Sequence, residues 1–110
     1  MAKSKKYTYH AQVERKNRID FIEKNLGFGF EIAEDVFTSE HSYKPSRAVL
    51  TDTGVIKIYS LETGKFVTCF IATVGQGAKI YKRCFNVRFC PSWLMKTLND
   101  NKILVDMQPK

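Results

Sequence analysis

Between Arg47 and Val74, three runs rich in β-branched and aromatic residues are separated by two short turns that each end in glycine, and this stretch most constrains the fold. The runs are Ala48-Val49-Leu50-Thr51, Val55-Ile56-Lys57-Ile58-Tyr59 and Lys65-Phe66-Val67-Thr68-Cys69-Phe70-Ile71-Ala72-Thr73. The turns, Asp52-Thr53-Gly54 and Glu62-Thr63-Gly64, supply the residue that accepts positive φ at no steric cost. The pattern predicts an antiparallel meander. Because strand side chains alternate, Ile56 and Ile58 share one face, and Val55, Lys57 and Tyr59 share the other. The last run is largely apolar on both faces, which predicts a central strand covered at least partly on both sides.

Around the meander the signals are helical or mixed. Tyr9 to about Leu26 predicts a helix with an incomplete apolar stripe of Val13, Ile19, Ile22 and Leu26, ended by Gly27. Phe28 to Phe37 fits a strand or a short second helix equally well, and residues 38 to 46 read as a polar loop. Gly75-Gln76-Gly77 reads as a turn. From Ala78 to Phe89, Ile80, Cys84 and Val87 have helical spacing while Phe85 to Phe89 alternates, so helix and strand both stay open. Pro91 opens a short helix that ends near Asn99 to Asn101, and Ile103 to Met107 suits a short edge strand. The expected class is α+β: an N-terminal helix packed on a small antiparallel β-meander sheet, with a short C-terminal helix. Residues 1–8 are expected to form a flexible basic arm, and residues 9–110 a single domain.

Charge is distributed unevenly. Eighteen Lys and Arg against 11 Asp and Glu leave a net charge of +7, which favours an anionic partner. Residues 1 to 18 carry Lys3, Lys5, Lys6, Arg15, Lys16 and Arg18 against Glu14 alone. Residues 63 to 99 carry Lys65, Lys79, Lys82, Arg83, Arg88 and Lys96 and no acid, while residues 19 to 62 hold eight acids. If the two basic segments meet in the fold, the molecule is cationic on one side and acidic on the other. No apolar run nears the ~18 residues of a membrane span, and Met1 to Lys6 leads into Tyr7-Thr8-Tyr9-His10 rather than an apolar signal core, so a cytoplasmic location is expected. Cys69, Cys84 and Cys90 form no CxxC pair and have no zinc-type histidine spacing; neither disulfide nor metal is expected, and Cys69 reads as a small buried hydrophobe.

The chain lacks a phosphate-binding loop, HExxH, GxSxG or dinucleotide fingerprint. A metal-dependent nuclease would need Glu31, Glu34 and Asp35, which look like a solvated face. Metal-independent RNA cleavage remains, since attack by a ribose 2′-OH needs only a proton acceptor, a proton donor and cations for the phosphorane charge. His10, Arg15, Arg18 and Thr68 are the candidate catalytic residues, with Thr73 nearby. A lone histidine at a helix start is more often a surface or capping residue, and threonine more often simply suits a strand. Arg15, Lys16, Arg18, Lys79, Tyr81, Lys82, Arg83 and Arg88 are the candidate nucleic-acid contacts, because arginine offers phosphate a two-pronged donor. Tyr7, Tyr9, Tyr81 and Phe85 interleave with these cations and suit either base stacking or core packing; His41 reads as ordinary surface. No cofactor is expected. The expected partner is RNA or a ribonucleoprotein, not a membrane, and a homodimer is compatible with the size.

The order of a basic helix, an antiparallel meander ending in a Thr-bearing strand, and a basic segment, carried by Arg47 to Tyr59 and Lys65 to Thr73, resembles the RelE/ParE-like toxins of the barnase-EndoU-colicin-RelE group. The chain also looks like small proteins of phages and mobile elements of Gram-positive bacteria. The first resemblance covers roughly residues 9 to 83 and implies a small α+β fold with metal-free ribonuclease activity, for which His10, Arg15, Arg18 and Thr68 are the matching positions; the tail from Phe85 onward departs from it. A phage origin implies a bacterial host cytoplasm. It also brings an alternative, a non-enzymatic anti-defence inhibitor of the anti-CRISPR type that binds a host nucleoprotein complex and uses the acidic segment to mimic nucleic acid. A basic phage accessory domain acting through oligomerisation is the third reading.

Overall fold

The computed structural model describes residues 9–37 and 45–109, with side chains in the first helix from Arg15 onward. The expected basic arm, the side chain of His10, and the loop holding His41 lie outside the described residues. Helix α1 (Tyr9–Asn25) leads into β1 (Glu31–Phe37), β2 (Ser46–Thr51), β3 (Val55–Ser60) and β4 (Phe66–Ile71), followed by α2 (Val74–Phe85), α3 (Ser92–Asp100) and α4 (Lys102–Met107). The strands form one antiparallel sheet in the order β1-β2-β3-β4. This is the expected α+β class, with the meander at the predicted residues and β1 resolving the first open alternative in favour of strand.

The glycine turns behave as their chemistry requires. Gly54 and Gly64 have φ of +89° and +74°. At Gly54 space is also decisive: an added Cβ would lie 2.6 Å from Asn101 Nδ2. Asn101 is buried at the junction of α3 and α4, where its Nδ2 donates to Thr53 O at 2.9 Å.

Alternation along the strands sorts the core into two clusters, one on each side of the sheet. Ala33, Ala48, Leu50 and Ile56 pack with Ile80 of α2 and with Leu94 and Leu98 of α3. Val55, Cys69 and Ile71 point the other way and pack with Ile22 of α1, flanked by Ile19, Leu26, Leu104 and Val105. Each fully buried aliphatic side chain contributes ~1.5–3 kcal/mol. Ile22 is the one described α1 side chain that is fully buried. Its helix therefore depends on other anchors.

Three expectations require correction, and one open alternative is resolved. The last meander strand, β4, is an edge strand and not a central one; its apolar faces are covered by helices while its outer edge is closed by side chains. Gly75-Gln76-Gly77 is the first turn of α2, not a loop, because Thr73 and Gln76 form a capping box: Gln76 N donates to Thr73 Oγ1 at 3.1 Å and Thr73 N to Gln76 Oε1 at 3.0 Å. Gly77 there lets α2 approach α3, since an added Cβ would sit 2.7 Å from Leu98 Cδ2. Residues 78–85 are helical and stop at Asn86, whose φ of +55° is the left-handed cap that asparagine tolerates. Ile103 to Met107 lies in the helix α4 and not a strand: Leu104 and Val105 pack on the second cluster, while Ile103 and Met107 face outward.

Candidate nucleic-acid interface

Two of the four arginines expected to touch phosphate, Arg15 and Arg18, are engaged with the protein's own backbone. In an antiparallel pair alternate residues turn their peptide groups outward, and in β4 these are Val67, Cys69 and Ile71. Arg15 Nη1 donates to Val67 O at 2.7 Å, and Arg18 Nε to Cys69 O at 2.7 Å. Arg18 Nη2 donates to Thr68 Oγ1 at 2.7 Å and Nη1 to Pro109 O at 3.4 Å. Arg18 and Thr68 are thus brought together as expected, but in a bond that fastens α1 to the sheet edge. A backbone carbonyl satisfies a guanidinium much as a phosphate oxygen does.

Other expected contacts are neutralised. Lys16 pairs with Asp20 at 3.1 Å, and Arg83 Nε with Asp35 Oδ2 at 3.0 Å, which ties α2 to β1. The acids of β1 are all matched: Glu34 with Arg47 at 2.6 Å, Glu31 with Lys57 at 3.3 Å, and Asp35 with Arg83. Arg47 also lies 4.8 Å over the Tyr59 ring. A face whose carboxylates are paired is a poor mimic of a phosphate backbone. Among the described residues, α1 packs with the cluster on one side of the sheet and α2 with the cluster on the other, so Arg15, Lys16 and Arg18 are not on the face that carries Lys79 and Lys82.

What remains of the predicted set is on α2 and the segment after it. Lys79 and Lys82 belong to α2 and Arg88 to the following loop; among the described residues no ion pair engages any of the three. Tyr81 is half-buried against the first cluster, and its ring meets Phe85 at 4.7 Å between centroids, so it supports Phe85 rather than standing free. The loop from Asn86 to Pro91 folds back along α2, because Cys90 Sγ contacts Ala78 O at 3.7 Å. Ala78 and Lys82 are one turn apart on one flank of the helix. Burial pushes the Cys90 thiol above its ordinary value of 9.0, and the neighbouring Lys82 charge partly opposes the rise.

Two exposed aromatic rings in and just after this loop, Phe89 and Trp93, were passed over by sequence reasoning. Phe89 is 82% exposed and Trp93 49%, joining Phe85 at 49%. The chain offered a signal for them, an aromatic every fourth residue (Phe85, Phe89, Trp93) through a stretch with no acid. Cations without partners beside exposed rings can hold a phosphate backbone and stack unpaired bases.

A cleft of about 510 Å³ at the carboxyl end of β4 lies between Arg18, Gln76, Asp106 and Gln108. Of these, Arg18, Gln76 and Gln108 are already bonded within the protein. Among the described residues no three His, Cys, Asp or Glu side chains cluster, and no helix is long and apolar enough to cross a membrane. Comparison with protein-family models, curated proteins and solved structures found no match.

Proposed function

We propose that this protein binds single-stranded RNA through α2 and the loop that follows it. Lys79, Lys82 and Arg88 meet the phosphates, and Phe85, Phe89 and Trp93 receive the bases. One observation supports the reading: Lys79, Lys82 and Arg88, which no ion pair engages among the described residues, belong to the same helix-loop segment as Phe89, which is 82% exposed. Unpaired bases present π-faces that a duplex hides, so this surface suits single strands rather than helices. Cleavage is not part of the reading, because Arg18 and Thr68 are bonded to each other and Arg18 also to the β4 backbone.

The test is fluorescence anisotropy of a labelled unstructured RNA against the wild type and Lys79→Gln/Lys82→Gln/Arg88→Gln. Among the described residues no ion pair engages these three side chains, so the variant keeps its fold. Affinity falls at least tenfold in the variant; equal affinity overturns the proposal. RNA incubated with the protein in EDTA stays intact.

A further inference from the structure

The two sheet edges are closed in different ways. The β1 edge carries Glu31, Glu34 and Asp35, and charge on an edge strand discourages pairing with another chain. The β4 edge, Phe66-Val67-Thr68-Cys69-Phe70-Ile71, carries no charge at all and has the composition that pairs most readily. Its outward groups are instead taken by side chains. Arg15 holds Val67 O and Arg18 holds Cys69 O. Gln108 closes the end: its Oε1 accepts from Ile71 N at 2.8 Å and its Nε2 donates to Ile71 O at 3.2 Å. One side-chain amide thus supplies the donor and acceptor that a neighbouring strand's peptides would.

We infer that the β4 edge is a self-association edge held shut by the clamp of Arg15, Arg18 and Gln108, and that opening the clamp lets two copies join β4 to β4 in one continuous antiparallel sheet. The occupant is a second copy because the strand is uncharged along its whole length, so two β4 strands meet without like charges opposed. The outward groups limit the register to every second position, and of these the one centred on Cys69 pairs Val67, Cys69 and Ile71 all at once. Pairing through Val67, Cys69 and Ile71 sets Cys69 opposite Cys69 of the other copy, and Val67 opposite Ile71. Directly opposed residues of such a hydrogen-bonded pair have Cα atoms ~5.5 Å apart, within reach of a disulfide.

The experiment uses the full chain with Cys84→Ser and Cys90→Ser, so that Cys69 is the remaining thiol. Light scattering finds this protein monomeric, and diamide, which takes up the two electrons and two protons of two thiols, does not crosslink it. Adding Arg15→Met, Arg18→Met and Gln108→Ala opens the whole clamp and produces a dimer, with self-association at least tenfold tighter, that diamide crosslinks through Cys69. A folded variant that stays monomeric and uncrosslinked overturns the inference. Should that variant lose its far-UV helix signal, Arg15→Met with Gln108→Ala, which frees Val67 O and both peptide groups of Ile71, is titrated with a labelled peptide of residues 65–72. Binding to this variant and not to the parent supports the inference; no binding to the folded variant refutes it.

Discussion

Replacing Arg18 by alanine separates a structural arginine from a phosphate-binding one. The guanidinium makes two short charged hydrogen bonds, to Cys69 O and Thr68 Oγ1, both at 2.7 Å, and a longer one to Pro109 O. Hydrogen bonds to charged groups contribute ~1.5–3 kcal/mol each. The side chain is only half-buried, so the lower figure applies to the two short bonds and the long one is neglected, for a loss of about 3 kcal/mol. With a urea m-value of ~1.5 kcal/mol/M for a chain of this size, the unfolding midpoint falls by about 2 M. Arg18→Lys keeps the charge but, with a single nitrogen, cannot reach both acceptors in the same geometry; it recovers less than half of the loss. Urea titrations followed by far-UV circular dichroism measure the midpoint. At low urea, where Arg18→Ala remains folded, its RNA affinity matches the wild type. A midpoint shift below ~0.3 M together with a tenfold loss of RNA affinity would refute the assignment.

Phe89→Ala, at a side chain that contributes little to the core, weakens RNA binding by about 1–3 kcal/mol while leaving the urea midpoint unchanged. Asn101→Ala leaves Thr53 O without its donor and opens space beside Gly54, lowering stability by ~1–3 kcal/mol in the same urea assay. Burial pushes the Cys69 thiol above its ordinary value of 9.0, with Arg18 and Lys57 opposing and Glu23 adding. Because the folded thiol holds its proton to higher pH than the unfolded one, its contribution is complete below that value and declines as pH rises above it. Stability therefore falls more steeply between about pH 8 and 10 in the wild type than in Cys69→Ala, measured by urea titration at each pH.

The meander was legible because its two signals, glycine at each turn and period-two alternation through Val55 to Tyr59, are local and agree with each other. The start of α2 was less so. Its capping residues Thr73 and Gln76 are readable in principle, but two glycines beside them imitate a turn. Ile103 to Met107 is β-rich by composition, and its helix is selected by tertiary circumstance: Leu104 and Val105 complete an apolar cluster beside a sheet edge that is already closed. Arg15 and Arg18 show the limit for a site. Their chemistry suits a phosphate or a carbonyl equally, and the carbonyls that claim them lie about fifty residues away along the chain. Lys79, Lys82 and Arg88 have no ion pair among the described residues, in keeping with the absence of acids near them in sequence, whereas Arg83, also in that segment, meets Asp35 of β1 only through the fold.

The central claim is tested most directly by the chain's single tryptophan, Trp93, which lies in the proposed interface. Its emission is followed while an unstructured oligouridine is added over a series of salt concentrations. Three phosphate contacts predict quenching on binding and a log-log salt slope of about −2 for a single strand, with no comparable quenching by a duplex of the same length. Unchanged Trp93 emission with RNA demonstrably bound, or an affinity indifferent to salt, would contradict the account.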